Sequence, residues 1–160
     1  MKFFRARAEA NIQKIERLKN IPIFHTLTRR ELFEVDELLH DRLYEKGEIV
    51  FEKGEMGHGI FIILSGKVRV QPSPELPANA LSEFGQGDLL GILSLFDEAP
   101  RLATIVTVEQ TAMAALFQAE FSALLKKNKN IGVKVLVEIS RILGRRATQL
   151  LLKEIHLPTL

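Results

Sequence analysis

A short segment in the middle of the chain, GDLLGILSLFDEAPRLATIV, combines groups that could hold a phosphate. Gly91 stands before a predicted short helix, whose first amides, those of Ile92 and Leu93, would have no intrahelical acceptor and could bind an anion. Ser94 offers a hydroxyl group in the same turn. Arg101 follows nine residues after Ile92, and its planar set of N–H donors matches phosphate oxygens. The segment therefore predicts an anion site.

The composition indicates a single soluble domain. The chain has 160 residues, of which 46% are hydrophobic and 26% charged, as in ordinary globular proteins. It has no cysteine, which excludes disulfides, thiolate zinc sites and cysteine nucleophiles. No apolar run approaches the roughly 20 residues that span a bilayer, and the N-terminus lacks the apolar core of a secretory signal. A cytoplasmic location is expected.

Charge is unevenly distributed along the chain. Both ends, residues 1–20 and 121–160, are basic, whereas residues 21–120 are acidic. Either the basic helices pack against an acidic body, or they form a basic surface for nucleic acid or anionic lipid.

Helical spacing of apolar residues marks both ends of the chain. One helix is predicted from Phe3 to about Leu18, and Thr28 begins a second with the capping box TRRE. The predicted buried face of this second helix comprises Leu32, Phe33, Val35, Leu38 and Leu39. Two further helices are predicted, QAEFSALLKKN from Gln118 and a longer one from Ile131 to about Glu154.

Between these ends, glycines separate short runs rich in Ile, Val and Phe. The runs are EIVFE, GIFIILSG, KVRVQ, ALSEF, ATIVTV and TAMAALF. Short strands at such spacing predict an antiparallel sandwich or barrel. The proline-rich stretch QPSPELPAN predicts a mobile surface loop between two of them.

Two longer motifs carry a resemblance to a known family: YEKGEIVFEKGE from Tyr44 and GIFIILSGKVRV from Gly59. Together with the segment that contains Arg101, they resemble the cyclic-nucleotide-binding domain family from about Ile23 to Gly144. The resemblance implies an α+β, mainly β fold, in which an antiparallel jelly-roll β-barrel of about eight strands is flanked by helices. The chain is expected to be one domain, helical over 1–43, a β-roll over 44–117, and helical again over 118–157.

The resemblance also implies roles for individual residues. Arg101 occupies the position of the phosphate-binding arginine, and the amides of Leu102 and Ala103 would add donors on the following strand. Ile92 stands where the family has a glutamate that bonds the ribose 2′-hydroxyl. Because an unpaired buried polar group costs roughly 1–3 kcal/mol, affinity for cyclic AMP or cyclic GMP should fall by roughly tenfold to more than a hundredfold.

Three functions remain open at this point. The domain binds a cyclic nucleotide weakly, or it binds another anionic phosphate ligand, or it has kept the fold without the ligand and acts as a protein interaction module. In the third case, and also if Arg101 pairs with Asp97 or Glu98, no ligand is expected. Catalysis is not predicted, because no nucleophile, phosphate-loop or dinucleotide motif occurs in a credible context. Too few residues follow Gly144 for the helix-turn-helix of related transcription factors, which favours a stand-alone sensor or adaptor.

The last helix could join two subunits. Leu136, Leu143 and Leu150 are spaced by seven and Ile139 extends their stripe, as in a short coiled-coil seam. In related sensors this helix pairs two subunits and covers the ligand; the alternative is packing on its own barrel. The same helix carries Arg141, Arg145 and Arg146. These arginines either face solvent, form ion pairs with the acidic middle of the chain or contact a partner.

A cupin, the competing small β-roll, would need clustered histidines that bind a metal. His25, His40, His58 and His156 are scattered along the chain, so neither a metal site nor a tightly bound cofactor is expected.

Overall fold

Helices at the start of the chain pack on a β-roll in the computed structural model, which describes residues 12–72, 74 and 82–154. Helix α1 covers residues 12–19; the rest of the helix predicted from Phe3, and most of the QPSPELPAN loop, lie outside the described residues. A 3-10 helix spans Pro22–Phe24. Helix α2 spans Arg29–Asp36 and begins with the predicted capping box.

Short antiparallel strands form the body of the molecule and, with helices at both ends, confirm the predicted α+β architecture. Helices nevertheless contain more of the described residues than strands do. The described strands are β1 His40–Tyr44, β2 Ile49–Phe51, β3 Met56–Gly57, β4 Gly59–Ser65, β5 Val68–Val70, β6 Glu83–Phe84, β7 Leu89–Leu90, β8 Ala99–Pro100, β9 Ile105–Thr107 and β10 Thr111–Phe117. Two four-stranded sheets have the orders β1-β10-β4-β7 and β2-β9-β5-β6, and β3 pairs with β8 alone.

The structure has ten described strands where about eight were expected. The runs predicted from Ile, Val and Phe each contain a strand, but β3, β7 and β8 are two residues long, too short for a repeating pattern. Strand β1, HDRLY, is largely exposed along its length. It begins at His40, so the β-roll starts four residues before the predicted residue 44.

A second 3-10 helix, Ile92–Leu95, lies between β7 and β8 where a short helix was predicted. After β10, helix α3 spans Gln118–Lys127 and helix α4 spans Lys129–Glu154. Helix α4 therefore begins two residues before the predicted Ile131. Within the described residues, none of the helices is both long and apolar enough to cross a membrane.

Two hydrophobic clusters hold these elements together. The larger one joins the helices to the sheet that contains β4 and β10, with Phe24 and Phe121 almost completely buried. The smaller one joins side chains of both four-stranded sheets, among them Ile63, Val68 and Met113. Burial of these side chains at roughly 1.5–3 kcal/mol each is the main source of stability.

One predicted core residue lies at the surface. Phe33 was expected on the buried face of α2, but its side chain is 42% exposed, whereas Leu32 and Val35 are buried. Helix α2 ends at Asp36, so only one short face of it can reach the core.

Basic residues of both terminal parts bind acids of the middle, which favours the packing interpretation of the charge pattern. Lys14 Nζ lies 2.8 Å from Asp36 Oδ1, and Lys134 Nζ lies 2.9 Å from Glu31 Oε1. Burial opposes the charge on Lys14, but its hydrogen bonds to Asp36 and Asp41 together outweigh that effect and raise the pKa of the lysine.

Candidate functional site

Backbone hydrogen bonds fix Arg101 immediately after β8. Its N–H donates to Glu55 O at 2.7 Å, and its own carbonyl accepts from the Gly54 N–H at 2.8 Å. Both partners belong to the turn between β2 and β3. Strand β3 in turn pairs with β8. The side chain of Arg101 therefore leaves the backbone from a defined position and points inward, with 8% of the residue exposed.

The guanidinium of Arg101 is held by neutral groups. Nη1 donates to Ser94 Oγ at 3.0 Å and Nη2 donates to Gly59 O at 3.0 Å. Its Cζ atom lies 4.3 Å from the Phe51 ring centroid and 5.8 Å from that of Phe61, within the range of cation–π attraction. A guanidinium has five N–H donors, so three of them make no hydrogen bond to the described residues.

The positive charge of Arg101 has no direct ionic partner in the described part of the chain. The alternative ion pair to Asp97 or Glu98 does not form: Arg101 makes no salt bridge with any described carboxylate. Burial lowers the pKa of Arg101, an effect opposed by the charge of Glu55, but an arginine remains charged at any physiological pH. A buried cation without a counter-ion favours binding of an anion.

Two glycines make room for this side chain. A Cβ atom built on Gly91 would lie 1.9 Å from Arg101 Nη1, and one on Gly57 would lie 2.1 Å from Ser94 Oγ and 2.9 Å from Arg101 Cζ. Gly91 also has φ +71°, a conformation that favours glycine. The tight fit explains why glycine occupies both positions.

The guanidinium faces a cavity of about 380 Å³, a size that suits a small molecule. All seven residues predicted for the anion site line it: Gly91, Ile92, Leu93, Ser94, Arg101, Leu102 and Ala103. Their assignment as ligand-binding residues stays a prediction, but the fold does bring them together.

The side chains around the cavity differ in burial. Ile92 is 3% exposed and also belongs to the larger core cluster, so it forms a fixed wall. Leu93 and Leu102, in contrast, are 58% and 77% exposed at the rim. Their predicted role in the anion site would therefore come from their backbone amides alone.

Helix α4 closes one side of the cavity. Leu143 and Arg146 line it, and Arg146 Nη2 donates to Leu89 O at 3.1 Å. Sequence reasoning placed Arg146 on this helix without assigning it to the site. The signal that could have found it is the spacing of Ile139, Leu143 and Arg146, which share one face of a helix.

The residues of the predicted dimer seam are only partly accessible to a second subunit. Ile139 is 1% exposed in the core of its own chain, so its side chain is not available to a second subunit. Leu136 and Leu143 also pack partly against that core, whereas Leu150 is 63% exposed. Of the other arginines, Arg141 binds the buried Glu138 carboxylate and Arg145 is exposed.

Two of the described histidines lie beside carboxylates. His25 Nδ1 is 3.8 Å from Glu138 Oε2, His40 Nε2 is 3.2 Å from Glu120 Oε1, and His156 lies outside the described residues. No group of three side chains suited to a metal ion occurs among residues that the structure describes.

Comparison with known proteins agrees with this geometry. A family model described as "Cyclic nucleotide-binding domain" matches residues 41–128. The "Cyclic AMP receptor protein" of Thermus thermophilus is 34% identical over 111 residues, which cover 69% of this chain and 51% of that protein. A "cAMP-dependent protein kinase regulatory subunit" of Mycosarcoma maydis is 32% identical over 99 residues, which cover 62% of this chain and 19% of that one. The chain thus spans about half the length of the first of these relatives and about a fifth of the second.

Solved structures show the same fold. The N-terminal domain of a transcriptional regulator from Streptomyces coelicolor superposes with a TM-score of 0.71 at 25% identity, covering 84% of this chain and 94% of that one. The similarity thus extends over most of both chains.

Proposed function

Because this chain belongs to the cyclic nucleotide-binding domain family, we propose that it is a regulatory domain that binds a cyclic nucleotide or a related anionic phosphate ligand at Arg101. One observation carries the proposal: a buried guanidinium, without a described carboxylate partner, faces a cavity large enough for a small molecule. The phosphate would bind the remaining guanidinium donors and the first amides of the Ile92–Leu95 helix.

The proposed role is binding and not catalysis. Among the described lining residues, only Ser94, Arg101 and Arg146 have polar side chains. Neither arginine can act as a base at physiological pH, and the Ser94 hydroxyl is already bonded to Arg101. This set can hold an anion but offers no general base to activate a nucleophile.

The signal would pass through α4. Leu143 and Arg146 line the cavity, so a ligand that touches them favours one position of the helix over another. Such a shift requires the ligand to have different affinities for the two positions. The names of two related proteins record cyclic AMP or a kinase, and the proposed role of this chain is likewise to regulate a partner.

Titration calorimetry with cyclic AMP, cyclic GMP and inorganic phosphate tests the proposal. We expect at least one of them to bind with Kd below about 1 mM, and Arg101→Gln to weaken that binding at least tenfold. Arg69→Gln is the matched control, because Arg69 lies on the exposed side of β5 and does not line the cavity. Absence of heat with all three, from protein shown to be folded by circular dichroism, would contradict the proposal and favour the ligand-free interaction module.

A further inference from the structure

We infer that the chain docks on anionic membrane surfaces through a basic patch at the meeting point of three helix ends. This junction patch comprises the start of α2, the end of α3 and the start of α4. It lies apart from the residues that line the Arg101 cavity, so the inference is independent of the proposed function. Its exposed side chains are Arg29, Arg30, Phe33, Lys126, Lys127 and Lys129.

Hydrogen bonds between side chains join these helix ends across the sequence. Asn128 Nδ2 donates to Glu34 Oε2 at 3.0 Å, and Asn130 Nδ2 donates to Glu31 Oε1 at 2.9 Å. The link between α3 and α4 is therefore fixed against α2.

This packing gathers cations from both parts of the chain. Arg30 lies one helical turn before Glu34 and is its neighbour on the surface of α2. Lys127 and Lys129 are the chain neighbours of Asn128, which binds that same Glu34. The two remaining cations directly precede Arg30 and Lys127 in the sequence. All five cations thus belong to one surface.

The nearby carboxylates are already engaged. Lys134 Nζ donates to both oxygens of Glu31, and Asn128 donates to Glu34. None of the five patch cations forms an ion pair with a described carboxylate. The surplus charge is positive even when the exposed Glu37 is counted, so the patch suits an anionic partner.

Helix electrostatics does not explain three of these cations. Arg29 and Arg30 lie in the first turn of α2, and Lys129 is the first residue of α4. The aligned peptide dipoles make this end of a helix positive, which disfavours cations there. Residues that break such a local rule without helping the fold are expected at functional surfaces.

Phe33 favours a membrane over a nucleic acid as the partner. Its side chain is 42% exposed, and it lies about one turn after Arg29 and Arg30 on α2. At an anionic bilayer the cations attract the headgroups, while an aromatic side chain enters the boundary between headgroups and acyl chains. A single-stranded nucleic acid would need a groove with several aromatic side chains for stacking, and Phe33 is the single aromatic residue of this patch.

Co-sedimentation with phosphatidylcholine vesicles that contain about 30% phosphatidylserine tests the inference. We expect binding to fall at least tenfold without phosphatidylserine. It should fall similarly when NaCl rises from about 0.1 M to about 1 M, because salt screens exposed charges. A variant with Lys126→Gln, Lys127→Gln and Lys129→Gln should bind at least tenfold more weakly, since each cation at the surface contributes roughly fivefold.

The control variant carries Lys46→Gln, Lys67→Gln and Arg69→Gln, which remove three exposed cations of the β-roll. Its net charge equals that of the patch variant, and it should bind the vesicles within twofold of wild type. Phe33→Gln should weaken binding at least threefold without changing its dependence on salt. Circular dichroism verifies that each variant is folded.

Three results would overturn the inference. One is an equal loss of binding in the two triple variants, since net charge alone would then account for it. Another is the absence of vesicle binding by the folded wild-type chain. The third is binding of a single-stranded oligonucleotide through the patch lysines in place of the vesicles. Calorimetry at the Arg101 cavity is a separate measurement, so failure of this inference and failure of the proposed function are distinguishable.

Discussion

Replacement of Gly91 by alanine should displace the Arg101 guanidinium, because the new methyl group would lie 1.9 Å from Nη1. Two costs combine. Alanine at φ +71° is strained by about 1–2 kcal/mol, and loss of the bonds from the charged group to Ser94 and Gly59 costs about 1.5–3 kcal/mol more. We expect a total loss of about 2.5–5 kcal/mol in the free energy of unfolding.

Gly47→Ala is the matched control for backbone strain. Gly47 has φ +86°, but a Cβ atom there would meet nothing within 4 Å, so only the strain of about 1–2 kcal/mol remains. Gly57→Ala tests the converse case, a steric clash without backbone strain. It places a Cβ atom 2.9 Å from Arg101 Cζ, in a backbone conformation that any residue adopts.

Equilibrium urea unfolding measures all three variants, and calorimetry with the tightest ligand of the wild-type chain measures the site. Gly91→Ala and Gly57→Ala should weaken ligand binding at least tenfold, and Gly47→Ala should not change it. If Gly91→Ala loses no more stability than Gly47→Ala and binds normally, then Arg101 does not depend on the space beside Gly91, and the geometric argument for the site fails.

Two further predictions concern the helices. Glu31→Gln keeps the capping geometry but loses the charge paired with Lys134 Nζ, 2.9 Å from both carboxylate oxygens, and should cost about 1 kcal/mol or less at pH 7. Burial opposes ionisation of Glu31, but the hydrogen bonds from Lys134 and Thr28 outweigh burial and lower the pKa of Glu31. The stability that the ionised Glu31 contributes is therefore present above the ordinary carboxyl pKa and is lost as pH falls through the lowered pKa. Urea unfolding at pH 3 should accordingly show a smaller difference in stability between Glu31→Gln and wild type than at pH 7. We also propose that two copies pair through the exposed end of α4: Leu150→Gln and Leu151→Gln together should convert a dimer to a monomer in sedimentation velocity, and a wild-type chain that is monomeric at about 100 μM would contradict the pairing.

Local signals in the sequence were sufficient for the kinds of elements and several of their ends. The Thr28 capping box begins α2 as predicted, because its hydrogen bonds join residues only three apart. The apolar runs became strands, and the glycine before the predicted short helix adopts φ +71°. Periodicity and turn chemistry depend on neighbouring residues, so they can be recognised without the fold.

Features of low or misleading periodicity were missed or misjudged. The exposed strand β1 has no alternating pattern because neither of its faces is well buried. Phe33 and Ile139 were assigned to the wrong surroundings, since helical spacing identifies an apolar face but not which surface covers it. Ile139 faces the core of its own chain, and only the packing of α4 could decide this.

By itself, the sequence determined the family, the β-roll with helices at both ends, and the pairing of Gly91 with Arg101 as a candidate anion site. Only the tertiary structure decided how that arginine is held and what surrounds it. Nη2 of Arg101 bonds a carbonyl 42 positions away, and α4 reaches the cavity through a bond that joins residues 57 positions apart. Contacts of this range arise from the packing of whole elements, which no local pattern encodes. They hold the Arg101 guanidinium in place and bring helix α4 against one side of the cavity.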